Sequence, residues 1–434
     1  MSISGRLEQA SRHSSRYRWF ALAVTTFCQA ASISLAQGIG PLAPLVQADF
    51  GTSRAQIGLI LSLSSVSGVA TALIGGRIAD QIGERKVLIV SGGFTALAGL
   101  AIALVDSFWS FLFVYFVIGL GSGIQNPAGS AAIMRWFPPR QRGLAMGIRQ
   151  TGIPIGGVLA ASAWPAIGLL AGWRTAYVVA GLLTMLGAVL ILLTYFDPVR
   201  EGGRGVSRPQ SVRTMLRDRR IWWLGAIFNT QIVAQFAATT YLVLFLNEVH
   251  GVPLVGAAAL LAAVNVAAIV ARIGWGVLSD RKFDGERRPV LTAILGLTVV
   301  AVLYAAALPG YAPWPFAVVL AVLLGISAFA WTGVLGTFVI ETAGRESPAS
   351  AIALVTAIGA PGSLLGAPLF GTIVDRTGSY QLAWLAVAVV VAFGLVAIRQ
   401  VTERPQLPPP APVTPHASEP TPHRPMSEPG QRSS

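Results

Sequence analysis

The sequence predicts an all-α membrane protein, with twelve transmembrane helices in two pseudo-symmetric six-helix halves. Three observations predict it. Of 434 residues, 54% are hydrophobic and 11% charged, with a mean hydropathy of +0.66. A soluble domain carries about 25% charged residues, so most of this surface must face lipid. Apolar segments recur at roughly 19–46, 54–78, 87–105, 108–134, 142–170, 173–195, 220–247, 253–278, 289–308, 312–340, 348–374 and 379–400. Most reach the ~20 residues that cross a ~30 Å hydrocarbon core. Finally, the charged phrase after the second segment returns after the eighth. Gly76 precedes Asp80 by the same four positions by which Gly276 precedes Asp280.

Taken in order, residues 1–18 form a polar leading segment and 19–196 a first six-helix half. Residues 197–219 form a connecting loop with Gly202-Gly203, Pro198 and Pro209. Its Arg, Gly and Ser content predicts a linker rather than a folded domain. Residues 220–400 form the second half, and 401–434 a Pro-rich tail that cannot bury a core and is expected to be disordered. The halves align beyond the charged phrase. Gly152-Ile153-Pro154 matches Gly359-Ala360-Pro361, while Gly119 and Gln125-Asn126-Pro127 match Gly325 and Trp331-Thr332-Gly333. Their near-constant offset describes one six-helix unit used twice, as in secondary transporters.

A net charge of +13 could suggest nucleic acid, but its placement excludes that partner. Of the 31 Lys and Arg residues, only Arg54, Arg174 and Arg376 fall in connections on the side opposite the termini. Only Arg149 and Arg272 fall inside spans away from their ends. The asymmetry is an insertion signal, and it predicts both termini in the cytoplasm of a bacterial-type inner membrane. The first apolar run is too long for a cleavable signal peptide. The lone Cys28 lies inside the first span, where a packing role is expected and no intrachain disulfide can form.

The phrase Gly76-Arg77-Ile78-Ala79-Asp80-Gln81-Ile82-Gly83-Glu84-Arg85-Lys86 resembles the signature between helices 2 and 3 of the major facilitator superfamily. The resemblance covers essentially residues 19–400, and it implies a transporter working by alternating access. In the second copy Arg281 follows Asp280, as is usual in the pattern. The physics of this hairpin is independent of the name. Gly76 permits close helix approach, Asp80 can cap a helix or pair with an Arg, and Gly83 permits a positive φ. Gly76, Asp80, Gly83, Arg85, Asp280 and Arg281 are therefore expected to form a gating latch; the plainer alternative is a topology signal. The run from Arg142 to Gly157 resembles the Gly-rich fifth helix of the same superfamily.

Arg149 and Arg272 lie about 10 and 12 Å deep on the helix rise from their charged ends. A charge at such depth costs ~3 kcal/mol or more, so both are expected to face a wet cavity. No acidic residue balances them there, since Asp49, Asp106, Glu248, Asp280, Glu341 and Asp375 all map near span ends. Two guanidiniums without carboxylates predict an anionic substrate held through bidentate hydrogen bonds. The run Arg272-Ile273-Gly274-Trp275-Gly276 is similar to the eighth helix of monocarboxylate and oxalate:formate carriers, which implies contact between Arg272 and a substrate carboxylate. The alternative is that Arg272 bonds backbone carbonyls. Amides and an aromatic at similar depth add Gln125, Asn126, Gln150, Gln231 and Trp331 as candidate contacts, though any single amide more often joins helices.

No catalytic or phosphate-binding motif is present, so neither an enzyme nor an ATP-driven pump is expected, and no cofactor or metal is required. The sequence predicts a monomeric secondary transporter of a small organic anion, monocarboxylate-like, embedded in the lipid bilayer. Its rivals are a multidrug or metabolite exporter and a non-transporting sensor with the same fold. With no acid at depth, facilitated diffusion or exchange is expected in place of proton coupling.

Overall fold

A computed structural model describes residues 15–137, 139–197, 212–283, 286–308, 314–343 and 348–402. The expectations for the extreme N-terminus, most of the connecting loop and the tail lie outside these residues. The described residues fold into sixteen α-helices. They are α1 (Ser15–Ala36), α2 (Ile39–Phe50), α3 (Arg54–Ile82), α4 (Glu84–Ala101), α5 (Phe108–Trp136), α6 (Pro139–Gln150), α7 (Gly152–Ala171) and α8 (Trp173–Thr194). After the connection come α9 (Val212–Leu216), α10 (Arg219–Glu248), α11 (Leu254–Lys282), α12 (Arg288–Ala307), α13 (Trp314–Ile326), α14 (Thr332–Ala343), α15 (Pro348–Thr377) and α16 (Tyr380–Arg399).

Eleven helical segments among the described residues are long and apolar enough to cross a membrane, and the tenth expected span supplies the twelfth crossing in two pieces. Three expected spans are thus discontinuous. The first breaks at Gln37-Gly38, the fifth at Thr151, and the tenth over residues 327–331. Inside a bilayer such breaks survive only where other groups satisfy the freed backbone. At the tenth span those groups come from α11, as described below.

The apolar residues face both ways. Leu104, Leu170 and Val389 are 86%, 88% and 72% exposed, which suits a lipid-facing perimeter. Leu35, Leu42, Tyr115, Leu224 and Trp384 fill a continuous interior. Short connections between neighbouring helices rely on local chemistry. Gly172 turns α7 into α8 at φ +88°, in a region that L side chains rarely adopt. Ser107 and Ser110 form a capping box at the start of α5.

The halves meet mainly along two helix pairs, α3 with α15 and α7 with α11, and α2 also packs on α10, where a Cβ at Gly40 would collide with the Thr239 carbonyl. Both seams need missing side chains. A Cβ at Gly371 of α15 would lie 2.5 Å from the carbonyl carbon of Arg54 and 2.6 Å from the Ala55 nitrogen. A Cβ at Gly157 of α7 would collide with the side-chain oxygen of Asn265 on α11. Such close approach is the usual source of helix affinity where lipid removes the hydrophobic drive.

Candidate functional site

Arg272 projects from the middle of α11 toward the break in the tenth span. Its Nε and Nη2 both donate to the Phe329 carbonyl, at 3.2 and 3.0 Å. One turn further, Trp275 Nε1 donates to the Ile326 carbonyl at 2.7 Å. The break leaves these carbonyls without a helical partner, and α11 supplies donors to both. Among the described residues the guanidinium pairs with no carboxylate, so a cation sits at depth against a single carbonyl dipole. Within a bilayer that is incomplete compensation.

Arg149, near the end of α6, is 1% exposed. Its Nη1 donates to Ser130 Oγ at 3.1 Å, and its guanidinium lies so flat on α5 that a Cβ at Gly129 would collide with it. Gln125, a turn away on α5, donates from Nε2 to Cys28 Sγ at 3.0 Å. Cys28, Gln125, Ser130 and Arg149 thus make a buried polar cluster inside the first half. Arg149 and Arg272 are each held within their own half.

The remaining candidate contacts separate by exposure. Gln150 is exposed at the α6–α7 break. Gln231 has no exposed surface, and its Nε2 donates to Thr298 Oγ1 at 3.3 Å, which joins α10 to α12. Trp331 is 2% exposed; its Nε1 donates to Gln235 Oε1 at 3.1 Å and its ring meets Phe228 edge-on at 5.0 Å. The Asn126 side chain lies outside the described residues.

Of the hairpin residues, the side chains of Asp80 and Asp280 and the surroundings of Gly76 lie outside the described residues. Gly83 adopts φ +93°, and a Cβ there would stand 2.5 Å from Asp197 Oδ2. The Arg85 backbone N–H donates to Asp197 Oδ1 at 2.9 Å, and its Nη2 donates to the Leu192 carbonyl at 2.7 Å. These bonds fasten α4 to the end of α8 within one half. Arg281 is exposed. Beside them, the fully buried Glu84 pairs with Arg135 at 2.8 Å.

A network that does cross the halves lies at the opposite end, around the first residue of α3. Arg54 Nη2 donates to Glu248 Oε2 at 2.6 Å, and Arg54 Nε donates to the Tyr380 hydroxyl at 3.1 Å. That hydroxyl donates in turn to Glu248 Oε2 at 2.9 Å. Arg54 Nη1 stands 3.5 Å from Asp375 Oδ1. The Tyr241 hydroxyl reaches the carbonyls of Arg54 and Ala367, at 2.6 and 2.9 Å. One end of the α3–α15 seam is thereby closed by charge-assisted bonds. The sequence signal was present but unread, because Arg54 is one of three basic residues on the basic-poor side and Glu248 and Asp375 end spans on that side.

The family model of the Major Facilitator Superfamily matches residues 22–360 and again 275–429. The chain belongs to the Major Facilitator Superfamily. It is therefore a multi-pass membrane transporter and not an enzyme. Among curated members of the superfamily, an uncharacterized MFS-type transporter of Mycobacterium tuberculosis is 29% identical over 89% of this chain and 85% of its own. A probable sulfoacetate transporter of Cupriavidus necator is 28% identical over 83% of this chain and 88% of its own. A crystal structure of a bacterial homologue of the lysosomal transporter Spinster shares the fold at a TM-score of 0.75. It covers 89% of this chain and 98% of that one at 19% identity.

Proposed function

We propose that this transporter carries a small organic anion, a carboxylate or sulfonate, across a bacterial inner membrane, with both termini in the cytoplasm. The observation that supports it most is the Arg272 guanidinium, held at depth with, among the described residues, a backbone carbonyl as its one hydrogen-bond acceptor. Desolvating a cation is costly unless a counter-charge arrives, and a two-oxygen anion supplies charge and fork geometry together. The probable sulfoacetate transporter of Cupriavidus necator fits the same class. The exposed Gln150 would serve the solute from the other half, and the buried Arg149 would join it only after leaving its seat on α5. Gln125, Gln231 and Trp331 hold helices together in this conformation and would reach solute only after rearrangement, and Asn126 remains a candidate beside them. The joined Arg54, Glu248 and Asp375 close what we take to be the outer end, so exchange with solute would begin from the cytoplasm.

Transport works by alternating access, and the substrate class is tested by uptake into proteoliposomes. Labelled sulfoacetate, acetate and nitrate are compared with a lipophilic cation, against protein-free vesicles. Saturable uptake of at least one anion supports the proposal. Saturable movement of the cation with none of the anions would overturn it in favour of an exporter, and no flux of any solute would favour a sensor.

A further inference from the structure

The break in the tenth span is held open from outside rather than by its own sequence. Residues Ser327-Ala328-Phe329-Ala330-Trp331-Thr332-Gly333 contain no proline, so nothing intrinsic prevents them from being helical. Instead the ladder is diverted. Phe329 N–H donates back to Leu324 O at 3.2 Å and Ala330 N–H to Ser327 O at 3.1 Å, and regular bonding resumes with Leu335 N–H on Trp331 O at 3.1 Å. In a continuous helix Phe329 O would accept from Gly333 N–H and Ile326 O from Ala330 N–H. In this conformation α11 donates to both oxygens, through Arg272 and Trp275.

We infer that the transported anion and the Phe329 carbonyl compete for the Arg272 guanidinium, so that substrate binding heals the break between α13 and α14. This rests on the anion proposal above. A carboxylate or sulfonate offers a full charge and two oxygens where the carbonyl offers a partial charge and one, so the charge-assisted pair is the stronger. The released Phe329 oxygen cannot remain unbonded in the membrane interior, and the donor that a continuous helix offers it is Gly333 N–H. The turn over 327–331 then winds into helix, and Trp331 gives up Gln235 as it rotates. The α14 segment moves with it. That segment carries Glu341, which Arg287 holds from the connection between α11 and α12 at 3.2 Å. Occupancy of one side chain is thereby converted into movement of the half-helix that leads to the cytoplasmic end.

Amide hydrogen exchange of the full chain in lipid nanodiscs, followed at residues 326–335, tests this. Without anion the wild-type amides exchange readily, and Arg272→Leu slows them at least about tenfold, the scale of one hydrogen bond to a charged group. Arg272→Lys, which keeps a donor, exchanges like wild type. Trp275→Phe, which removes the second donor, gives a smaller slowing and serves if the leucine variant does not insert. Adding sulfoacetate, acetate or nitrate slows wild-type exchange for whichever anion is transported. Equal exchange in wild type and Arg272→Leu, or anion flux with no change in wild-type exchange, overturns the competition while leaving the anion proposal standing. Absence of flux for all three anions refutes that proposal, and the competition with it, even where the leucine variant is protected.

Discussion

The carboxylate of Asp375, on the last turn of α15, accepts from the backbone N–H groups of Arg54 and Ala55, at 3.1 and 2.9 Å, and so caps α3 across the seam between the halves. The first N–H groups of a helix have no partner within it, and the positive end of its dipole favours a carboxylate. Here the partner comes from the other half, so opening this end uncaps α3. Neutralising the cap should therefore favour the open state. In a Cys28→Ser background with a reporter at Thr239→Cys, which lies nine residues before Glu248 on α10 and is 6% exposed, Asp375→Asn should raise the rate of labelling by an impermeant maleimide from the Arg54 side. The rise should be several-fold, as expected for a cap of about 1 kcal/mol. Equal labelling rates would mean that the cap does not govern this end.

Gly371 permits that closure. Because a Cβ would stand 2.5 Å from backbone at Arg54 and from the Tyr241 hydroxyl, neither neighbour can yield cheaply. Gly371→Ala should wedge the seam, lower the melting temperature in detergent by several degrees and reduce transport more than tenfold, within the range for overpacked sites. Wild-type melting and transport together would show that the seam is looser than described.

Gly129 makes the matching prediction inside the first half. Gly129→Ala should push the Arg149 guanidinium off α5, and because the far end of a flexible side chain can move, the protein should still fold. Transport should fall, and the bond to Ser130 should be lost. If Gly129→Ala transports normally while Arg149→Gln also does, Arg149 is a packing residue.

Coupling follows from where the acids sit. Among the described residues the carboxylates lie at helix ends or connections, including the buried Glu84 on the first turn of α4, which is paired with Arg135. Proton-driven carriers usually place a carboxylate or His within the membrane. An imposed pH gradient, with potential clamped and no counter-anion inside, should therefore fail to concentrate a strong-acid anion such as sulfoacetate. Concentrative uptake under those conditions would reveal a protonation site.

Much of this was legible in the sequence, and the exceptions share a cause. Hydropathy located the spans and the repeat located the halves, since lipid imposes length and composition directly. The breaks at Thr151 and 327–331 were not legible, because an apolar run looks the same whether its carbonyls bond within the helix or to Arg272. Arg272 was singled out by depth, yet its bond to Phe329 depends on two segments fifty-seven residues apart. The Arg54 network was missed for a similar reason. Each of its members reads alone as an ordinary charged residue at a span end, and only the packing of α3, α10 and α15 brings them together.

The central claim is that Arg272 is where the anion binds, and anion uptake by wild type, Arg272→Gln and Arg272→Lys reconstituted at equal density tests it most directly. Arg272→Gln should abolish saturable uptake with insertion intact, and Arg272→Lys should retain only a small part of it, because a point charge replaces a planar fork. Uptake by Arg272→Gln at the wild-type rate and affinity would contradict the account.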